Sequence, residues 1–166
     1  DFGQEQIDGC LAAYELKYGN RQRGERLLAR VLASGRAPYD VILLRGELFL
    51  ADGRIIQARE QFARAARIAP RDPRPFMFLA KTYMTESPFQ EVEWGLQNAT
   101  AACRLSSYEN ADCLSTLVRA YELNGESDVA LLFIERMRDL PSTRQLNIDQ
   151  MLSFKKELQR LRQMNA

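Results

Sequence analysis

Histidine is absent from all 166 residues. Its absence removes the commonest general acid–base group, the commonest zinc ligand and every Ser-His or Cys-His nucleophile pair. The usual hydrolases are thereby excluded, and the chain reads as a non-enzyme. Cysteine is scarce, with Cys10, Cys103 and Cys113 and no Cys-x-x-Cys pair. Three thiols without histidine make a poor zinc set, and so few in a chain of this size make no disulfide framework. Cys10 reads as a small apolar filler in a helix interface. Cys103 and Cys113 flank one interhelical connection, which leaves a single disulfide open. No apolar run approaches the ~20 residues needed to span a bilayer, and no signal peptide is visible. With no Gly-rich phosphate loop and no acidic metal cluster, neither cofactor nor metal is expected. The net charge of +1 gives no global pull toward nucleic acid or acidic membranes.

What is present fits one globular domain over 1–166, long enough to bury a useful core. Arginine outnumbers lysine nineteen to four, the bias of a GC-rich genome and so a hint of a bacterial source. The chain begins at Asp1 instead of methionine, as an excised domain or a processed form would, and the compartment is left open.

Nearly everything has apolar residues at a period of 3.6, and nothing alternates as a strand does. Helices are predicted near 4–18, 21–35, 39–52, 55–69, 73–85, 88–105, 109–124, 127–140 and 146–164. Ser87-Pro88-Phe89-Gln90 and Asp72-Pro73 read as helix starts, each a capping residue followed by proline at the first helical position. Gly19-Asn20, Asp52-Gly53 and Asn124-Gly125 read as turns. Pro70 and Pro141 close helices. The short connections make successive helices antiparallel neighbours.

The helices repeat at a period of 34 residues. Residues 39–72 carry Ile42, Gly46, Phe49, Gly53, Ala58, Phe62, Ala65 and Pro70. Residues 73–106 place Phe76, Leu79, Ala80, Tyr83, Val92, Leu96 and Ala99 at matching offsets. Residues 111–144 give Leu114, Leu117, Val118, Tyr121, Gly125, Ala130, Ile134 and Met137. Over 4–38, Ile7, Cys10 and Tyr14 fit with one residue added before Gly19, after which Gly24, Leu28 and Val31 follow in phase. Four extra residues, Ser107 to Asn110, precede the last repeat. A helix–turn–helix unit of this length cannot bury its apolar face alone and must stack on its neighbours. These offsets, over about 140 residues, resemble the tetratricopeptide repeat family. The resemblance implies an all-α, right-handed α-α superhelix of about four repeats, with 146–164 as its C-terminal capping helix.

It also implies where a partner would bind, because in this family the first helix of each pair lines a concave groove. The matching positions are Asp40, Leu43, Leu44, Glu47 and Leu50 in repeat two. They are Arg74, Met77, Phe78, Lys81 and Met84 in repeat three, and Asp112, Ser115, Thr116, Arg119 and Glu122 in repeat four. Leu43, Leu44, Met77, Phe78 and Met84 are not needed by the packing pattern, so they are expected to form an apolar groove for a helical or extended peptide. The alternative is that the chain's own terminal helix, or the tight superhelix, covers them. One subclass of the family clamps the acidic tail of chaperones with Lys, Asn and Arg. The positions here are Asp8, Leu11 or Ala12, Leu44, Arg74 and Phe78, and Arg74 alone fits, so that function is rejected.

Arg45 stands where the pattern wants a buried leucine. A buried guanidinium needs a partner, so a structural ion pair is expected ahead of the alternative, a ligand contact, with the side chain reaching from core to edge. Two basic tracts, Arg54, Arg59, Arg64, Arg67, Arg71 and Arg21, Arg23, Arg26, Arg30, read as solvated convex faces beside Glu25 and Glu60, so no nucleic-acid partner is expected. The expected role is a scaffold or adaptor for a protein or peptide partner, in a bacterial setting one such as secretion or pilus assembly. The alternatives are a homo-oligomerisation module, such as a homodimer, or a regulatory domain of a larger protein.

Overall fold

The computed structural model describes residues 2–35 and 37–140. Pro141 and the predicted capping helix 146–164 lie outside the described residues. Within them are eight helices and no strand: α1 Phe2–Tyr18, α2 Arg21–Ala33, α3 Tyr39–Ala51, α4 Ile55–Ile68, α5 Pro73–Met84, α6 Val92–Leu105, α7 Ala111–Leu123 and α8 Ser127–Arg138. They divide at the Pro70–Arg71 junction into two compact units.

In the first unit α1 packs against α2 and α3, and α3 against α2 and α4. Gly24, Leu28 and Val31 of α2 recur 34 residues later as Ala58, Phe62 and Ala65 of α4, and all six are buried. Ala12 of α1 recurs as Gly46 of α3, and both are buried. The first repeat is therefore in strict phase with the second, and no added residue is needed before Gly19. This corrects the frame built on Ile7, Cys10 and Tyr14, all of which are exposed. The reason is steric. Close approach on α1 uses its smallest residues: a Cβ on Gly9 would stand 2.5 Å from Val41 Cγ2. Leu16 lies over Gly24, where a Cβ would meet its Cγ at 2.6 Å.

Strict phase puts Asp8 and Glu15 in the slots that hold Ile42 and Phe49 in the second repeat. They turn toward α2, where Glu15 Oε1 lies 3.2 Å from Arg23 Nη1 and Asp8 Oδ2 lies 3.9 Å from Arg30 Nη1. The other oxygen of Glu15 accepts the Asn20 backbone N–H at 2.9 Å. Near-surface ion pairs contribute roughly 0.2–1 kcal/mol, against about 2 kcal/mol for burying an Ile or Phe side chain. These two slots thus contribute less to the α1–α2 contact than Ile42 and Phe49 contribute to α3–α4.

In the second unit α5 packs against α6 and α7, α6 against α7, and α7 against α8. Its core runs from Met77, Ala80 and Met84 through Cys103, Cys113, Leu114 and Leu117 to Ile134 and Met137. Asp72 caps α5 as its sequence predicts, accepting from the Arg74 backbone N–H at 2.8 Å. Helix α6, however, begins at Val92 and not at Pro88. Ser87 to Gln90 form a turn in which Ser87 Oγ accepts from Phe89 N and the Ser87 carbonyl accepts from Gln90 N. The four extra residues lengthen the α6–α7 turn. Ser107 and Tyr108 take positive φ of 54° and 58°, Tyr108 N–H bonds back to the Cys103 carbonyl at 2.8 Å, and Asn110 caps α7 through Cys113 N. Stacking repays this left-handed pair: the Tyr108 ring stacks on Phe133 at 6.0 Å and Phe133 on Tyr121 at 5.6 Å.

Cys103 and Cys113 are buried free thiols, whereas Cys10 is exposed and fills no interface. Burial, with a smaller contribution from Cys113, pushes the Cys103 thiol up to about 12. No helix among the described residues is long and apolar enough to cross a membrane.

Candidate partner-binding surfaces

The first helices of the pairs carry the predicted site residues, and their shared period puts equivalent side chains on equivalent faces. On α3, Asp40 and Glu47 are exposed, Leu44 and Leu50 are half-buried, and Leu43 is buried at 3% exposure. Thirty-four residues later on α5, Arg74 is exposed, Phe78 and Lys81 are half-buried, and Met77 and Met84 are buried. On α7, Arg119 is exposed, Thr116 is buried and its hydroxyl donates to the Asp112 carbonyl at 2.7 Å.

The expected run of five exposed apolar groove residues is therefore corrected to Leu44 and Phe78. Met77 and Met84 belong to the core of the second unit, because α5 packs against two helices at once. Met84 lies across Gly95 of α6, where a Cβ would meet its Cγ at 2.6 Å. Leu43 sits on a helix that packs against three others. Leu44 on α3 and Phe78 on α5 each stay partly accessible between two charged side chains. The signs differ: α3 presents Asp40 and Glu47, α5 presents Arg74 and Lys81. Lys81 Nζ lies over the Phe78 ring at 5.3 Å, and Arg74 Nη2 holds Asp72 Oδ2 at 2.8 Å. Arg119 pairs with Glu122 at 3.4 Å.

Sequence reasoning missed a second feature. Between α2, α3 and the α3–α4 turn lies an open cavity of about 620 Å³. Leu28, Leu32, Leu48 and Phe49 give it an apolar lining, and Arg45 and Arg54 reach it too. The Arg45 guanidinium lies 5.1 Å from the Phe49 ring centroid and that of Arg54 lies 4.4 Å from it. Neither guanidinium has an ion-pair or hydrogen-bond partner among the described residues. The ion pair expected for Arg45 is thus replaced by a ring contact one helical turn along. The two carboxylates at the cavity, Glu25 and Asp52, are engaged elsewhere: Arg21 donates to them at 2.8 and 2.9 Å. The exception at Arg45 was the signal in the sequence that could have found this place.

A third feature lies on α1. Ile7, Leu11, Tyr14 and Tyr18 form an exposed stripe at spacings of four, three and four residues, with Ile7 at 61% and Tyr18 at 69% exposure. The Tyr14 and Tyr18 rings lie 5.8 Å apart.

No family model matches the chain, and no curated protein matches it. Solved structures do. TTC0263, a thermophilic TPR protein in Thermus thermophilus, superimposes with a TM-score of 0.72 at 19% identity, over 95% of this chain and 80% of that one. A MamA protein gives 0.68 at 15% identity, over 96% and 92%. MamA AMB-1 gives 0.65 at 17% identity, over 89% and 78%. Likeness at these identities concerns the fold, and it agrees with the paired helices and the buried residues recurring every 34 positions. The chain has the tetratricopeptide-repeat fold.

Proposed function

We propose that the chain is a non-enzymatic scaffold that takes up a helical or extended segment of a protein partner on the first helices of its pairs, with 1–166 acting as one domain. One observation carries this reading: Leu44 and Phe78, at equivalent positions, are left half-buried between charged neighbours. Such a side chain gains hydrophobic free energy on contact, while the flanking charges select register and direction. The finer setting, assembly of a bacterial secretion or pilus machine, rests on analogy of fold alone.

The test is photo-crosslinking in the native host, with a benzophenone side chain at Leu44 or Phe78 and a control at exposed Arg64 of α4. Adducts of defined mass are expected from the first two positions and not from Arg64. Equal labelling at all three, or none at any, overturns the reading. In partner capture with circular dichroism as a folding check, Leu44→Glu and Phe78→Glu should each abolish capture of the partner that crosslinks at that position.

The α1 stripe supports a second reading, a homodimer. Antiparallel pairing of two α1 helices sets Ile7 against Tyr18 of the copy and Leu11 against Tyr14. It also brings the Glu5 end of one copy beside Lys17 of the other, as charge complementarity requires. Sedimentation over a concentration series should give a dimer that Tyr14→Glu dissociates. A monomer at every concentration rejects this reading and leaves the first intact.

A further inference from the structure

The cavity beside Arg45 has a composition that the repeat's own packing does not call for. The slot of Arg45 is filled by Leu79 and Leu117 in the third and fourth repeats, both buried. In the second repeat an arginine stands there, half-buried, and an open space of about 620 Å³ lies next to it. That volume lies within the range of small-ligand and short-peptide sites.

The space and the residue bonded to its acids carry one more cation than anion. Arg45 and Arg54 both lean on the Phe49 ring, so no more than the sum of their two ring distances separates them. Glu25 and Asp52 also line the space, and each gives one oxygen to Arg21, so three arginines share two acids there. Two guanidiniums on one ring, neither ion-paired among the described residues, repel each other, and a carboxylate that reaches both lowers that cost while gaining charge-assisted hydrogen bonds. The backbone helps to fix the arrangement, since Arg54 N–H donates to the Phe49 carbonyl at 2.8 Å. Beneath the charges, Leu28, Leu32 and Leu48 offer an apolar floor.

We infer that this cavity binds a peptide segment carrying a carboxylate next to a large apolar side chain. The carboxylate sits between Arg45 and Arg54, and the apolar side chain lies on Leu28, Leu32 and Leu48. The site uses neither Asp40, Leu44 and Glu47 nor the α1 stripe, so it stands apart from the function proposed above. Its failure leaves that function untouched.

The test uses the full chain labelled with 15N and three blocked tripeptides. Acetyl-Leu-Phe-Leu ends in a free carboxylate, its C-terminal amide lacks one, and acetyl-Leu-Asp-Leu amide carries one on a side chain. Saturable shifts of the Leu32, Leu48 and Phe49 amides are expected with the free acid, with at least tenfold weaker binding of its amide. Binding by the aspartyl peptide as well shows that an internal acidic residue serves. Its failure to bind restricts the site to chain-terminal carboxylates. Arg54→Gln, at an exposed position, should weaken the acid about tenfold without unfolding the chain, and Arg45→Lys should retain more affinity than Arg45→Gln. The proposal is overturned if acid and amide bind equally, if Arg54→Gln binds the acid as the native chain does, or if no peptide shifts those amides.

Discussion

Replacing Gly46 by alanine should destabilise the protein although alanine is the better helix former. A Cβ on Gly46 would stand 2.5 Å from Phe62 Cε1 and 2.8 Å from both Cδ1 and Cζ. Ordinary carbon–carbon contact requires the ring to retreat about 1 Å. Three ring atoms are met at once, and Phe62 is fully enclosed with no exposed surface, so no side-chain torsion frees all three. Overpacking of this kind costs about 1–3 kcal/mol, and the encounter argues for the upper end. The gain in helix propensity offsets about 1 kcal/mol. The net expectation is a loss of about 2 kcal/mol, which for a chain of this size lowers Tm by roughly 4–8 °C.

The repeats themselves supply the control. Ala12 and Ala80 occupy the slot of Gly46, while Leu28 and Leu96 occupy that of Phe62. In the first three repeats glycine goes with phenylalanine and alanine with leucine, so the summed volume at those crossings is nearly conserved, whereas Val118 and Ile134 hold these slots in the fourth. Phe62→Leu alone should cost on the order of 1 kcal/mol by leaving a cavity. Gly46→Ala combined with Phe62→Leu should be more stable than the two losses added, with a coupling above about 1 kcal/mol. Urea and thermal unfolding followed by circular dichroism measure all four chains. A Tm for Gly46→Ala at or above that of the native chain refutes the argument, as does simple additivity in the double variant.

Four further outcomes follow from the same packing. In a thiol-exchange assay at pH 8, Cys10 should react at once, while buried Cys103 and Cys113 wait for unfolding. Because burial raises Cys103 from 9.0 to about 12, the folded state holds its proton more tightly than the unfolded chain does. Its contribution is full below pH 9 and is lost as pH rises toward 12. Urea stability should therefore fall by up to ~1.4 kcal/mol more per pH unit in that window than in Cys103→Ala. Ser107→Gly should raise the urea midpoint by the equivalent of about 1 kcal/mol, since φ of 54° suits glycine and no side-chain hydrogen bond of Ser107 is lost. Glu15→Ala should lower stability by about 1 kcal/mol, removing both the Arg23 pair and the bond to Asn20 N. Thermal unfolding checks it, and an unchanged Tm would show that the α1–α2 pair does not depend on that carboxylate.

The paired helices were legible because their period and caps are local. The 34-residue offsets from Ile42 to Ala99 hold in the folded chain, and the Asp72 cap forms as its sequence predicts. Two misreadings came from ranking residue types instead of holding the phase. Large apolar Ile7 and Tyr14 drew the first repeat onto themselves, although the strict period assigns the inner slots to Ala12, Gly24 and two carboxylates. The carboxylates are tolerated inside because α2 brings arginines opposite them, a complementarity that no single-helix pattern displays. The site was misjudged for a related reason. Met77 and Met84 are surplus to one repeat's pattern, but they are needed once α5 meets α6 and α7 together.

Arg45 separates what sequence can locate from what it can explain. The misfit was visible, since Leu79 and Leu117 hold the same slot, and burial made an ion pair the natural expectation. Two carboxylates do stand near the cavity, Glu25 from α2 and Asp52 after α3. Both are bonded to Arg21, whose position at the start of α2 lets one guanidinium reach an acid one turn along its own helix and another 31 residues away. Competition between arginines for shared acids is decided in three dimensions. The loser keeps its charge and settles on Phe49. An arginine that loses that competition beside an apolar cavity is a stronger mark of a binding site than one that simply breaks a pattern, because its charge is still available to a ligand.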